Sequence, residues 1–112
     1  MRPSLEQVLN AVTASTNSAA IVATNVLYVS VQAVATSTIA GTVKVQFSND
    51  IVNEQVGPTN WIDVPSATVS ITGTAGAFGI AKFDSCYKWL RVVFTKSGGT
   101  GTLSANVNTI GA

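Results

Sequence analysis

The 112-residue chain has no histidine, a single cysteine, and only six basic and five acidic residues. Each shortage closes off a class of function. Without histidine the commonest general base and the commonest transition-metal ligand are missing. The lone Cys86 can form no intrachain disulfide and no cysteine-cluster metal site, and it reads as a small apolar residue near a strand start. A net charge of +1 without any basic run leaves no cationic footprint for nucleic acid. No stretch reaches the roughly 18 uninterrupted apolar residues that a membrane-spanning helix needs. The first residues, MRPSLEQVLNAVTASTNSAAIVA, do not read as a signal peptide, because Glu6, Asn10 and Asn17 break any apolar run. Cytoplasmic synthesis without processing is therefore expected.

Catalytic inventory is equally thin. A Ser or Cys nucleophile needs a nearby base, and without histidine only Lys82, Lys88 and Lys96 could substitute. The acids are Glu6, Asp50, Glu54, Asp63 and Asp84. Asp50 and Glu54 share one loop with Asp63 close behind, which a solvated loop explains. Asp50 and Asp63 with loop carbonyls could hold a weak Ca²⁺ by ligand type, but the spacing matches no calcium loop. The glycine-rich SGGTGT lies between two strands rather than before a helix, so it is no phosphate cradle. A non-enzymatic protein without cofactor or metal is the expectation.

Hydrophobic residues make up 46% of the chain, enough for one domain with one core. Charged residues are 10%, against about 25% in an average soluble protein. The surface must then be built from Ser, Thr and Asn, which number 33. Such a surface repels its own copies weakly.

One segment has helical spacing. Ser4 and Gln7 stand as in a capping box, and Leu5, Val8, Leu9 and Val12 fall at i, i+3, i+4 and i+7. Two or three turns are unstable alone in water, so this face would dock on its own domain or on a neighbouring subunit, or else the tail would fray. Residues 1–18 are thus expected to be an N-terminal arm with a short amphipathic helix and connector, and residues 19–112 the main domain. From residue 19 the pattern is strand after strand. LYVSVQAVA, TVKVQFS, ATVSIT, AFGIAKF and TLSANVN alternate apolar and polar residues, with turns at TSTIAG, GTAG and KSGGTG. WIDV is a further strand that Pro65 interrupts. Seven or eight short antiparallel strands at about ten-residue spacing predict an all-β sandwich.

The strand KWLRVVF is apolar on both faces. If Leu90, Val92 and Phe94 face the core, then Tyr87, Trp89, Arg91 and Val93 face outward. Aromatics and Arg are favoured at protein interfaces. Either the N-terminal helix or a loop covers this stripe, or a copy or partner does. Trp61, beside Asn60 and near Asp50, either plugs the sandwich end or offers an aromatic platform with polar neighbours for a glycan.

The runs LYVSVQAVATSTIAGTVKVQFSND, PTNWIDV and YKWLRVVFTKSGGTGTLSANV, over about residues 27–107, resemble small phage virion proteins in motif and order. That resemblance implies a jelly-roll-like β-sandwich, similar in outline to galactose-binding or discoidin-type domains. It implies a virion part such as a capsid decoration or cement protein or a fibre, with no catalytic residues. The expected partners are copies of the chain itself, most simply a trimer, and phage capsid or tail proteins. The alternative is a carbohydrate- or receptor-binding module displayed on the virion.

Overall fold

A computed structural model describes residues 3–24, 26–52 and 57–111. Among these the chain forms nine strands and no helix: β1 (Pro3–Val12), β2 (Thr16–Asn17), β3 (Ile21–Val22), β4 (Val26–Ala35), β5 (Ala40–Ser48), β6 (Ile62–Thr72), β7 (Gly76–Asp84), β8 (Trp89–Gly98) and β9 (Leu103–Gly111). Sheet A has the order β1-β9-β4-β7, and sheet B the order β2-β8-β5-β6 with β3 also on β8. Every pairing is antiparallel. The expected all-β sandwich is present.

The alternation read from sequence sets the two sheets against one another. Val29, Val31, Ala33 and Ala35 from β4 meet Leu103, Ala105 and Val107 from β9 in one half of the core. Val43 and Val45 from β5 meet Leu90, Val92 and Phe94 from β8 in the other. Phe94 is wholly buried, a burial that contributes on the order of 1.5–3 kcal/mol.

The expected helix is not formed. The segment is the edge strand of sheet A, paired with β9 from Pro3↔Ile110 to Val12↔Leu103. The reason is two irregularities in that pairing, between Gln7 and Leu9 and between Leu9 and Val12. Each inserts a residue, which turns the next side chain back to the inner face. Leu9 is thereby buried opposite Ala105, and Val12 packs at the core margin. At the second irregularity Ala11 adopts a positive φ of 49°, and its N–H is taken by the Ser104 hydroxyl at 2.9 Å. The bulged strand thus brings Leu9 and Val12 to the inner side at a spacing that a helix could share, while Leu5 stays outward. Residues 3–12 are therefore part of the sandwich rather than an appended arm.

Pro65 also behaves differently from expectation. WIDV and ATVSIT belong to one strand, β6, with a bulge at residues 64–67 between the pairs Gln46↔Asp63 and Lys44↔Thr68, in which Val64 and Ala67 stay buried. Pro65 is exposed there and Ser66 takes a φ of 63°. β6 is an edge strand, where a proline and a bulge discourage pairing with other chains.

At one end of the sandwich two crossovers are laced together. The Thr36 and Thr38 N–H groups donate to the carbonyls of Thr102 and Thr100, both at 2.9 Å. The Thr102 and Thr100 N–H groups donate back to the hydroxyls of Thr36 and Thr38, at 2.8 and 3.1 Å. The glycine-rich turn is needed for this approach. Gly99, at φ 78°, would place a Cβ 1.8 Å from the Thr38 carbonyl oxygen, and Gly101, at φ 124°, one 2.2 Å from that of Thr36. No side chain fits at either position.

Candidate functional site

The outer face of sheet B answers the question that KWLRVVF poses. Trp89 is 3% exposed and Val93 8%. The chain's own β5–β6 loop lies against Trp89. The indole N–H donates to the Asp50 carbonyl at 3.4 Å, and the Lys88 ammonium, 5.9 Å from the Trp89 ring centre, reaches the Val52 carbonyl at 3.4 Å. The Asn49 side-chain oxygen accepts the Lys88 N–H at 2.9 Å.

Asp50 closes this loop on itself. Its carboxylate accepts the backbone N–H groups of Thr59 and Asn60 at 2.8 and 2.9 Å, and the Asn60 side-chain amide at 3.2 Å. The Asn60 and Thr59 backbone N–H groups, with the Asn60 amide, hold the Asp50 carboxyl below the ordinary carboxylate range. Beside the loop a polar ladder crosses three strands. Arg91 donates through Nε to the Gln46 Oε1 at 2.8 Å, and Gln46 Nε2 donates to Asp63 at 2.8 Å. Lys44 reaches the same carboxylate at 3.3 Å. Gln46, and then Lys44, lower the Asp63 pKa. The Arg91 guanidinium lies 4.5 Å from the centre of the Trp61 ring, a cation–π contact.

The anticipated site residues are therefore distributed as follows. Trp89, Arg91 and Val93 share the outer face of sheet B, and Trp61 joins Arg91 there. Tyr87 does not join that stripe. It stacks on Phe47 with ring centres 4.0 Å apart and packs at the core margin. Leu9 is in the core, with Val8 and Val12 beside it. Leu5 stands outward on sheet A at 73% exposure. Asp50 and Asn60 are occupied in closing their loop, and Asp63 in the ladder. No group of three or more His, Cys, Asp or Glu side chains among the described residues could hold a metal.

The outer face of sheet A was not anticipated. Tyr28, Ser30 and Gln32 from β4 stand opposite Ile110, Asn108 and Asn106 from β9. Across β9, Leu5 and Gln7 from β1 continue the rows. Two adjoining depressions of about 220 and 370 Å³ run over this face and share Ser30 and Asn108. The Lys82 ammonium lies 4.3 Å from the Tyr28 ring centre. The signal was in the sequence, as the polar halves of LYVSVQ and LSANVN. What those strings cannot give is the register that brings the two halves together.

No family model and no curated protein sequence matches the chain. Solved structures share its fold. SPBc2 prophage-derived protein YomS aligns with 96% of this chain and 92% of its own, at a TM-score of 0.66 and 12% identity. The PBSX exported protein XepA aligns with 97% of this chain at a TM-score of 0.73 and 12% identity, and the aligned part is 37% of XepA. PirA aligns over 96% of this chain and 93% of its own, at 0.58 and 12% identity. At these identities the likeness is one of fold.

Proposed function

We propose that this chain is a non-enzymatic phage virion protein, a structural or accessory part that acts by packing against other proteins. The observation that carries the reading is the end-to-end likeness to a prophage-derived protein of the same size, YomS. The residue inventory supports it. Histidine is absent, Asp50 is engaged in holding the β5–β6 loop and Asp63 in the ladder beside it, and charge is sparse. A capsid decoration role, with copies of the chain or capsid proteins as partners, fits a small sandwich with a neutral, Thr- and Ser-rich surface better than a fibre does. A fibre is a long assembly, and the sequence carries no internal repeat.

The reading of Trp61, Asn60 and Asp50 as a glycan platform has less support. The Trp61 ring is engaged by Arg91, and Asp50 and Asn60 by one another.

Quantitative proteomics of gradient-purified particles tests the proposal. A decoration protein is recovered at a copy number comparable to the major capsid protein, and a fibre part far below it. Absence from the particles overturns the virion reading. Light-scattering mass over a dilution series then shows whether the chain assembles with itself.

A further inference from the structure

We propose that the outer face of sheet A is a binding groove for a linear, uncharged polysaccharide. This does not depend on the virion role. It rests on the contrast in how side-chain amides are used. On the sheet B side, Gln46, Asn49 and Asn60 make hydrogen bonds within the chain, and Asn17 on the short strand β2 is the exception among the described residues. On sheet A, Ser30, Gln32, Asn106 and Asn108 line the groove, and among the described residues none of their side chains has an internal partner.

The groove has the two surfaces that a sugar chain requires. A pyranose presents apolar C–H faces and a rim of hydroxyls. Here Tyr28, Ile110 and Leu5 supply apolar surface, while the carboxamides stand beside it. A carboxamide both donates and accepts, so it satisfies a hydroxyl in either orientation. Cross-strand neighbours stand about 4.8 Å apart, and same-face residues along a strand about 6.7 Å apart. Such a grid presents its carboxamides at regular intervals along the face. Charge argues for a neutral ligand. Among the described residues the charged side chains of the face are Lys82, over Tyr28, and Asp84, opposite Tyr28, so opposite signs sit together at one end.

A second copy of the chain fits this face poorly. A stable dimer buries about 800 Å² per partner, with a core more apolar than the rest of the surface. Here Leu5, Leu27 and Val34 are the exposed large apolar side chains of β1 and β4, and the centre of the face is carboxamide.

The test is a nuclear magnetic resonance titration of the whole chain, labelled with ¹⁵N, against gluco-, manno-, galacto- and N-acetylglucosamine hexasaccharides at millimolar concentration. The expected result is movement of the Gln32, Asn106 and Asn108 side-chain NH₂ signals with at least one probe, and a stationary Trp61 indole signal. Asn106→Ala with Asn108→Ala should weaken that binding about tenfold with an unchanged melting temperature. If that pair disturbs folding, the exposed Gln32→Ala provides the same readout. Failure of every probe to move these signals overturns the proposal, as does movement centred on Trp61. Movement with protein concentration alone would show that the face pairs copies of the chain instead.

Discussion

The two outer faces of this sandwich are built from similar alternating strands, yet one is closed and the other open. On sheet B a large aromatic, Trp89, lies beneath the chain's own β5–β6 loop, and the polar side chains around it bond to one another. On sheet A the corresponding positions carry Ser30, Gln32, Asn106 and Asn108, with their polar atoms turned to solvent. The difference lies in the connections. β5 and β6 are neighbours in one sheet and joined by a long loop that can fold back over the face. The strands of sheet A are joined through crossovers to the other sheet, so among the described residues no loop of their own covers them. Closure contributes to stability, and openness leaves chemistry available to a ligand.

Both faces depend on the laced crossovers, so the largest effect is expected there. Gly99→Ala would drive a methyl into the Thr38 carbonyl and impose a positive φ on a side-chain-bearing residue. The two corners must separate, and a loss of about 3 kcal/mol or more is expected. Urea denaturation measures it. A loss below about 1 kcal/mol would mean that the corners are not held together as described.

Next comes the closed face itself. Trp89→Ala should cost about 3 kcal/mol, in the range for removing a buried aromatic, at every protein concentration. An outward interface residue would lose assembly and keep its monomer stability. A cost of that size in a monomer therefore separates a self-covered face from one covered by a partner.

These two predictions also mark what the sequence made legible. The sandwich was readable because strands such as LYVSVQAVA and TVKVQFS alternate cleanly, and their inner residues are the observed core. The apolar outer stripe of β8 was legible as something needing cover. Its cover was not, because a loop folding over a sheet leaves no periodic signal. β1 was misread for a physical reason. Two bulges insert residues into the alternation, so Leu9 and Val12 both reach the inner side at a spacing that a helical face would also have, while Leu5, before the bulges, stands on the outer face. The groove on sheet A was hidden differently. Each contributing residue is an ordinary polar half of a strand, and only the pairing of β4 with β9 makes them a surface.

Acid should loosen the closed face selectively. The Asp50 and Asp63 carboxyls are held below 3.8 by the backbone and side-chain donors around them. A carboxyl with a depressed folded pKa contributes stability that is complete above its unfolded value and fades as pH falls through the folded one. The loop and ladder should therefore be unaffected from neutral pH down to about 4 and weaken below it. Tryptophan fluorescence should follow that change, since both Trp61 and Trp89 lie in this region. In Asp50→Asn the loop loses its charged acceptor, so the variant should be less stable at neutral pH and less sensitive to acid. An equal acid response in the variant would assign the transition to other groups.

The smallest effects belong to the open face, and their smallness is the point. Gln32→Ala and Val34→Ser remove exposed side chains of β4 that have no internal hydrogen-bond partner among the described residues. Each should change stability by less than about 0.5 kcal/mol. A cost above about 1 kcal/mol for either would mean that the face is covered in solution, and the contrast between the faces would fail. If that cost grew with protein concentration, the cover would be another copy, because only association makes stability depend on concentration. If the cost were the same at all concentrations, part of the chain itself would be lying over sheet A. Near-zero costs on sheet A beside a multi-kilocalorie cost at Trp89 would show that the fold does not need its carboxamide face, which leaves that face free to bind.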